Sequence, residues 1–150
     1  MTDASGALTA PHVLEYPYTR SVGPVLGRFF AALRERRIEG IRTRSGRVLV
    51  PPQEYDPETA EPLDDWAAVS DAGVLTTWAW VHQPRKNHPL DRPFAFALIR
   101  LDGADSAMLH AVDAGDESRM SIGMRVRARW RAEPQGDIHD IVCFDPEPVP

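Results

Sequence analysis

A single cysteine, Cys143, leaves this chain of 150 residues without an internal disulfide and without a C-x2-C metal knuckle. Such usage fits a reducing compartment, and we expect a cytoplasmic protein. No apolar run approaches the ~20 residues of a membrane span, so no membrane segment is expected. The first twelve residues lack the basic start and apolar core of a signal peptide. Lysine is nearly absent as well: Lys86 stands against sixteen arginines, a bias that reads as genome composition rather than chemistry. A positive balance is also lacking. The formal charge of -5 and pI near 5.5 argue against a general nucleic-acid binder. Neither a P-loop, a dinucleotide fingerprint nor a nucleophile motif occurs.

What is present is ordinary for a globular chain: 43% hydrophobic and 26% charged residues, enough for one domain or two small packed modules. We divide it into an arm (1–20), a helix plus hairpin (21–62), a barrel (63–145) and a tail (146–150). Residues 1–11 are small and polar, expected to be disordered or draped on a partner. Residues 13–18 read as extended, and Pro17 restricts them to an edge strand or a docking arm.

Residues 21–37 form the clearest helix. Pro24 suits its first turn and Gly40 lies just beyond its end. Val22, Val25, Leu26, Phe29, Phe30 and Leu33 recur at helical spacing and make one apolar stripe. The stripe packs either on the chain's own sheet or, through Phe29 and Phe30, against another subunit.

Residues 38–59 read as a rubredoxin-like zinc-ribbon hairpin stripped of its metal. Cysteines at positions 42, 45, 56 and 59 would have tetrahedral zinc spacing, but the residues are Arg42, Ser45, Asp56 and Thr59. Only Asp56 could ligate a cation, so no zinc is expected. An Arg42–Asp56 salt bridge could crosslink the knuckles, although an exposed pair contributes only about 0–1 kcal/mol. Packing by Val48, Val50, Pro51, Pro52 and Tyr55 would have to hold the hairpin.

From residue 66 the pattern changes to period two. Strands are expected at 66–70 and 74–81, joined by a tight turn at 71–73, then at 94–101, 107–112, 125–131 and 138–144. Val74, Thr76, Trp78 and Trp80 are expected on one face. Five or six strands in about 80 residues suit a small OB-type barrel; periodicity alone leaves a small sandwich open.

Candidates for chemistry are few. His12, His82, His88, His110 and His139 are scattered, and His139 and Asp140, read as strand neighbours, would point to opposite faces. Cys143 reads as a small core residue. Arg125, Arg127, Arg129 and Arg131 would line one strand face, where guanidinium forks could meet the phosphates of coenzyme A or nucleic acid, or simply be neutralised by nearby acids. Trp78 and Trp80 could stack bases or fill a barrel. The proline-stiffened loop 82–93, with His82, Arg85, Lys86 and His88, is long enough to shape a substrate entrance or contact a partner.

The run through Phe29, Phe30, Ala31, Ala32, Leu33, Gly40, Ser45, Gly46, Arg47, Pro51, Pro52, Asp56 and Pro57 resembles the acyl-CoA-associated zinc-ribbon plus OB-fold family, whose members partner thiolase-like enzymes. Residues 93–103 and 122–126 look like strands of that family's barrel. The resemblance spans about residues 22–145, yet the four cysteines are missing. It implies a mainly β fold: N-terminal helix, degenerate ribbon hairpin without metal, then an OB-fold barrel. It further implies a non-catalytic accessory subunit, in a hetero-oligomer with a thiolase or retro-aldolase acting on an acyl-CoA, in steroid side-chain degradation. No cofactor would be bound firmly, acyl-CoA being a shared substrate, and catalytic residues would lie in the partner. The implied partner interface is Val25, Phe29, Phe30, Leu33 and Tyr55. The alternative is a free-standing OB-fold module for single-stranded nucleic acid, using Trp78, Trp80 and the arginine stripe.

Overall fold

The computed structural model describes residues 10–148. Residues 1–9 of the expected arm and 149–150 of the expected tail lie outside the described residues. Helix α1, Gly23–Arg34, begins with a proline in its first turn and ends where Arg36 adopts a positive φ of 56°. It is therefore shorter than the 21–37 expected. The N–H groups of Glu35 and Arg36 close it on the carbonyls of Ala32 and Leu33. Its inner face buries Phe29, Ala32 and Leu33.

The helix is followed by β1 (Ile38–Arg42), β2 (Val48–Leu49) and β3 (Asp65–Val69), which form one antiparallel sheet in the order β2-β1-β3. Here the expected hairpin between the 66–70 and 74–81 strands is corrected. All five residues of β3 pair with β1, from Ile38 opposite Val69 to Arg42 opposite Asp65. Trp66 carries the reason, because it packs with Ile41, Leu49 and Leu63 in a small core of its own, and the Arg28 guanidinium lies 4.3 Å above its ring. Hydrogen bonding thus puts β3 on the ribbon side of the division expected at residue 63. The edge strand β2 is stitched to the barrel. Asp105 accepts from Val48 N (2.8 Å) while its own N–H donates to Val48 O (2.8 Å), and Ser106 Oγ accepts from Val50 N (2.7 Å).

The remaining strands, β4 (Ala72–Val81), β5 (Phe94–Leu101), β6 (Met108–Val112), β7 (Arg125–Trp130) and β8 (Ile141–Pro146), close a barrel in the order β4-β5-β6-β8-β7. Ala72 and Gly73 lie inside β4 rather than in a turn. An extra residue at Thr76 shifts the β4–β5 register, since Leu75 faces Ile99 but Thr77 faces Leu98. That bulge overturns the single face expected for Val74, Thr76, Trp78 and Trp80. Leu75, Trp78 and Trp80 pack on the main core, whereas Val74 stands opposite outward-facing Arg100. A second correction concerns the C-terminus. Residues 138–140 form a 3-10 turn, so His139 and Asp140 are not strand neighbours, and β8 runs on to Pro146 instead of fraying.

One apolar core spans both sheets: Phe29, Leu33, Ile38 and Val50 meet Leu75, Ile99, Leu101, Val126, Ile141 and Phe144. Phe29 and Leu33 are 1% and 0% exposed, and each such side chain contributes roughly 1.5–3 kcal/mol. The helix stripe therefore covers the chain's own barrel. Phe29 and Leu33 are removed from the expected partner interface.

Two glycines test the packing. A Cβ on Gly73 would lie 2.3 Å from Arg100 O and 2.7 Å from Leu101 Cα, backbone that cannot step aside. Gly73→Ala is expected to lose about 2 kcal/mol or more in urea unfolding. Gly27→Ala, which meets nothing within 4 Å inside α1, should be neutral or gain up to about 1 kcal/mol.

Candidate functional site

One concavity on the barrel wall is an apolar groove of about 280 Å³ between β6 and β8. These parallel neighbours pair only at Val112 and Phe144 and part beyond that point. Phe96, Leu109 and Val142 line the groove from the outer faces of their strands, and Ile138 and Ile141 line it from the 3-10 turn and the start of β8. Pro89, Arg131 and His139 complete the lining. His110 lies at the parting. Its ring packs edge-on to Phe144 at 5.4 Å, and its Nδ1 accepts the Ala111 N–H at 2.9 Å. Burial pushes the imidazole below its ordinary pKa, so it is neutral at pH 7.

Loop 82–93 covers the neighbouring part of the outer face. Leu90 is buried with Phe94, Ala111 and Cys143, and the His88 ring lies 5.7 Å from Phe94 and 5.8 Å from Phe96, edge-on to both. His88 is thus a packing residue whose Nδ1 accepts from Arg85 N at 3.2 Å. His82 Nε2 lies 3.7 Å from a Glu117 carboxylate oxygen. Arg85 and Lys86 are exposed and line a hollow with Pro84 and Asp91.

The arginine stripe is paired along its length. Arg125 forks both Asp102 oxygens (2.7 and 2.6 Å) and Arg127 bridges Asp71 (2.6 Å) and Glu147 (2.9 Å). Arg129 donates to Asp113 (2.7 Å) and grips Asp145, and Arg131 lies 3.6 Å from Asp140 and 3.8 Å from Asp137. Burial works to raise the Asp113 carboxyl, but hydrogen bonds from Arg92 and Arg129 outweigh it and hold the pKa down. A phosphate approaching the stripe must displace carboxylates already in place. Asp113, Cys143 and Asp145 bring their ligand-type atoms within 4.8 Å of one another. Two guanidiniums already neutralise that cluster. Burial, the largest influence, pushes the Cys143 thiol up to about 12, which withholds the thiolate a metal would need.

At the hairpin, the two knuckle turns are joined through Asp56, though not by the expected Arg42–Asp56 salt bridge. Arg42 turns to Asp65, 3.4 Å away, and donates to Gly46 O. The Asp56 carboxylate is 2% exposed. It accepts Arg44 N at 2.8 Å from one knuckle, and Glu58 N (2.8 Å) and Thr59 N (3.3 Å) from the other. Thr43 Oγ1, also buried, lies 3.0 Å from Ser45 Oγ and accepts Arg47 N at 3.1 Å. The carboxylate thus holds backbone donors of both turns where a ribbon would place a cation. The Arg44 N–H foremost, then that of Glu58, keep its pKa below the usual carboxylate range.

Residues 66–131, which carry β3 through β7, match the family profile described as "ChsH2, C-terminal OB-fold domain". Over that segment the chain is similar to the ChsH2 C-terminal OB-fold domain. Beyond that segment, a protein of unknown function from the DUF35 family of Sulfolobus solfataricus shares the fold at a TM-score of 0.59 and 19% identity, over 83% of each chain. A chain of the "Ltp2-ChsH2(DUF35) aldolase" does so at 0.62 and 18% identity, over 85% of this chain and 98% of that one. At these identities the likeness is one of fold. No curated protein matches the chain.

Within the ChsH2-type barrel, β5 and β6 are the second and third strands, flanked by the 82–93 loop and the 131–140 loop. OB-folds take ligands on this face, and the groove lies on it. Sequence reasoning singled out the loop but missed Phe96, Leu109, Ile138 and Val142. For Phe96 the signal was there in a strand apolar on both faces, 94–101.

Two measurements test these assignments. In an NMR titration His110 should take up its proton only below pH ~6.5. Because its folded pKa is lowered, the unfolded chain binds more protons there, so its contribution to stability falls as pH drops below that value. Asp56→Asn should lower Tm by several degrees at pH 7. The gap to wild type should shrink as pH falls below ~4 through the depressed Asp56 pKa, since that stability is full above the unfolded value and lost on protonation. An equal gap at pH 3 and pH 7 would show that the charge is irrelevant.

Proposed function

We propose that this chain is a non-catalytic accessory subunit of a thiolase-like enzyme that cleaves an acyl-CoA by retro-aldol or thiolytic chemistry. The observation that carries the reading is the ChsH2-type barrel within a fold like that of the Ltp2-ChsH2(DUF35) aldolase chain over 98% of its length. Steroid side-chain breakdown in a reducing cytoplasm is the setting we propose, with the reacting groups on the partner and no zinc in the ribbon.

The proposed contribution of this subunit is a wall for the acyl-CoA channel. The groove offers apolar lining for part of the acyl group. For the coenzyme's phosphates we favour Arg85 and Lys86 over the stripe at Arg125, Arg127, Arg129 and Arg131. Both are exposed and enter no salt bridge among the described residues, so no carboxylate need be displaced.

The decisive experiment is gentle isolation from the native cells followed by mass spectrometry of what co-purifies in stoichiometric amount. A thiolase-like enzyme is expected; a monomer without a protein partner overturns the reading. Labelled single-stranded oligonucleotides should not bind even at low salt, because the stripe is internally neutralised and Trp78 and Trp80 are half-buried against the core.

A further inference from the structure

We infer that the arm, residues 13–22, is a docking segment that inserts into an apolar cleft of the thiolase-like subunit. This inference rests on the function proposed above and relocates the contact from helix α1 to the segment before it. The chain has three tyrosines, Tyr16, Tyr18 and Tyr55. They are 74%, 79% and 57% exposed, and with them Val13, Leu14 and Val22 stand 76%, 66% and 47% in water. Tyrosine is enriched at the centres of protein interfaces because it combines a large apolar ring with a polar tip.

A Cβ on Gly23 would lie 3.2 Å from Glu54 Oε1, so the root of the arm sits beside the residue that precedes Tyr55. Between residues 10 and 20 no backbone group bonds to another element among the described residues. The arm is therefore an extended strip whose own fold offers it nothing to pack on.

The composition of the strip states what it fits. Between residues 13 and 22 the formal charges at pH 7 are Glu15 and Arg20, which cancel; a segment without net charge has no electrostatic pull toward a nucleic acid or lipid headgroups and points to a protein cleft. Pro11 and Pro17 fix φ and keep the segment from coiling into a helix, which lessens the ordering entropy lost on binding. Partners that dock this way exclude water around the aromatic anchors, so affinity should hardly change with salt.

The test uses the full chain and its co-purifying thiolase-like subunit, with affinity measured by calorimetry at two salt concentrations. Leu14→Ser, Tyr16→Ser and Tyr18→Ser combined should weaken binding at least thirtyfold, the scale of interface anchors, while Tm stays at the wild-type value. Ile122→Ser, equally exposed on a distant barrel turn, should bind as wild type. If the triple variant binds as tightly as the intact chain, the inference is overturned while the accessory-subunit function stands. If the intact chain retains no thiolase-like subunit, both fall. Concentration-dependent self-association lost in the triple variant would assign the arm to a second copy of this chain and equally overturn the inference.

Discussion

The helix and the ribbon sheet are held on the barrel by burial of α1 against it. Phe29 and Leu33, with Ile38 and Val50 from the hairpin, enter the same core as Leu75, Ile99 and Phe144. No separate interior exists for the helix, so its orientation and that of β1 follow from the barrel's shape. Polar contacts then fix the rotation. Arg34 donates to Gln135 O at 2.7 Å and Arg28 meets Glu39 at 3.0 Å, exposed links of modest worth individually, acting on elements whose position hydrophobic burial has already set.

Carboxylates organise what the core leaves open. Asp56 gathers three backbone donors from two turns, and Asp140, fully buried, accepts Gln135 N and Gly136 N at 2.7 Å each. For Asp140 burial works to raise the pKa, but these N–H groups prevail and keep it low. In both places a short acidic side chain serves as an internal hub for a loop that has no ladder of its own. The loop that Asp140 anchors, 131–140, is one wall of the groove, so the shape of the groove depends on that hub.

Much of this was legible in the residues. Period-two runs located the barrel strands to within a few positions, and the helix, its proline start and its apolar stripe followed from spacing alone. Failures share a cause. The partner of β3 was misjudged because Asp71-Ala72-Gly73 has the composition of a turn, whereas Trp66 finds its cover on Ile41 and Leu49, residues distant in sequence. The bulge at Thr76 has no local signature and is set by register against β5. Pairing of the arginine stripe was foreseeable from the number of acids, but which acids could not be read, since Asp71, Asp102 and Glu147 reach it across separate strands. For the candidate groove, the outward apolar residues of β5 were visible while the parting of β6 from β8 is a property of closure. The knuckle spacing led to Asp56 but suggested the wrong partner for it.

The stitching of β2 by Asp105 and Ser106 has a consequence for assembly. A two-residue edge strand normally leaves free amides and carbonyls that template further strands, in a second copy or a misfolded neighbour. Here Val48 and Val50 spend those groups on the turn between β5 and β6. The ribbon sheet is thereby blunted on that side. Growth of cross-strand aggregates from this edge is closed off while the barrel is folded, and would open only in molecules whose barrel had already come apart.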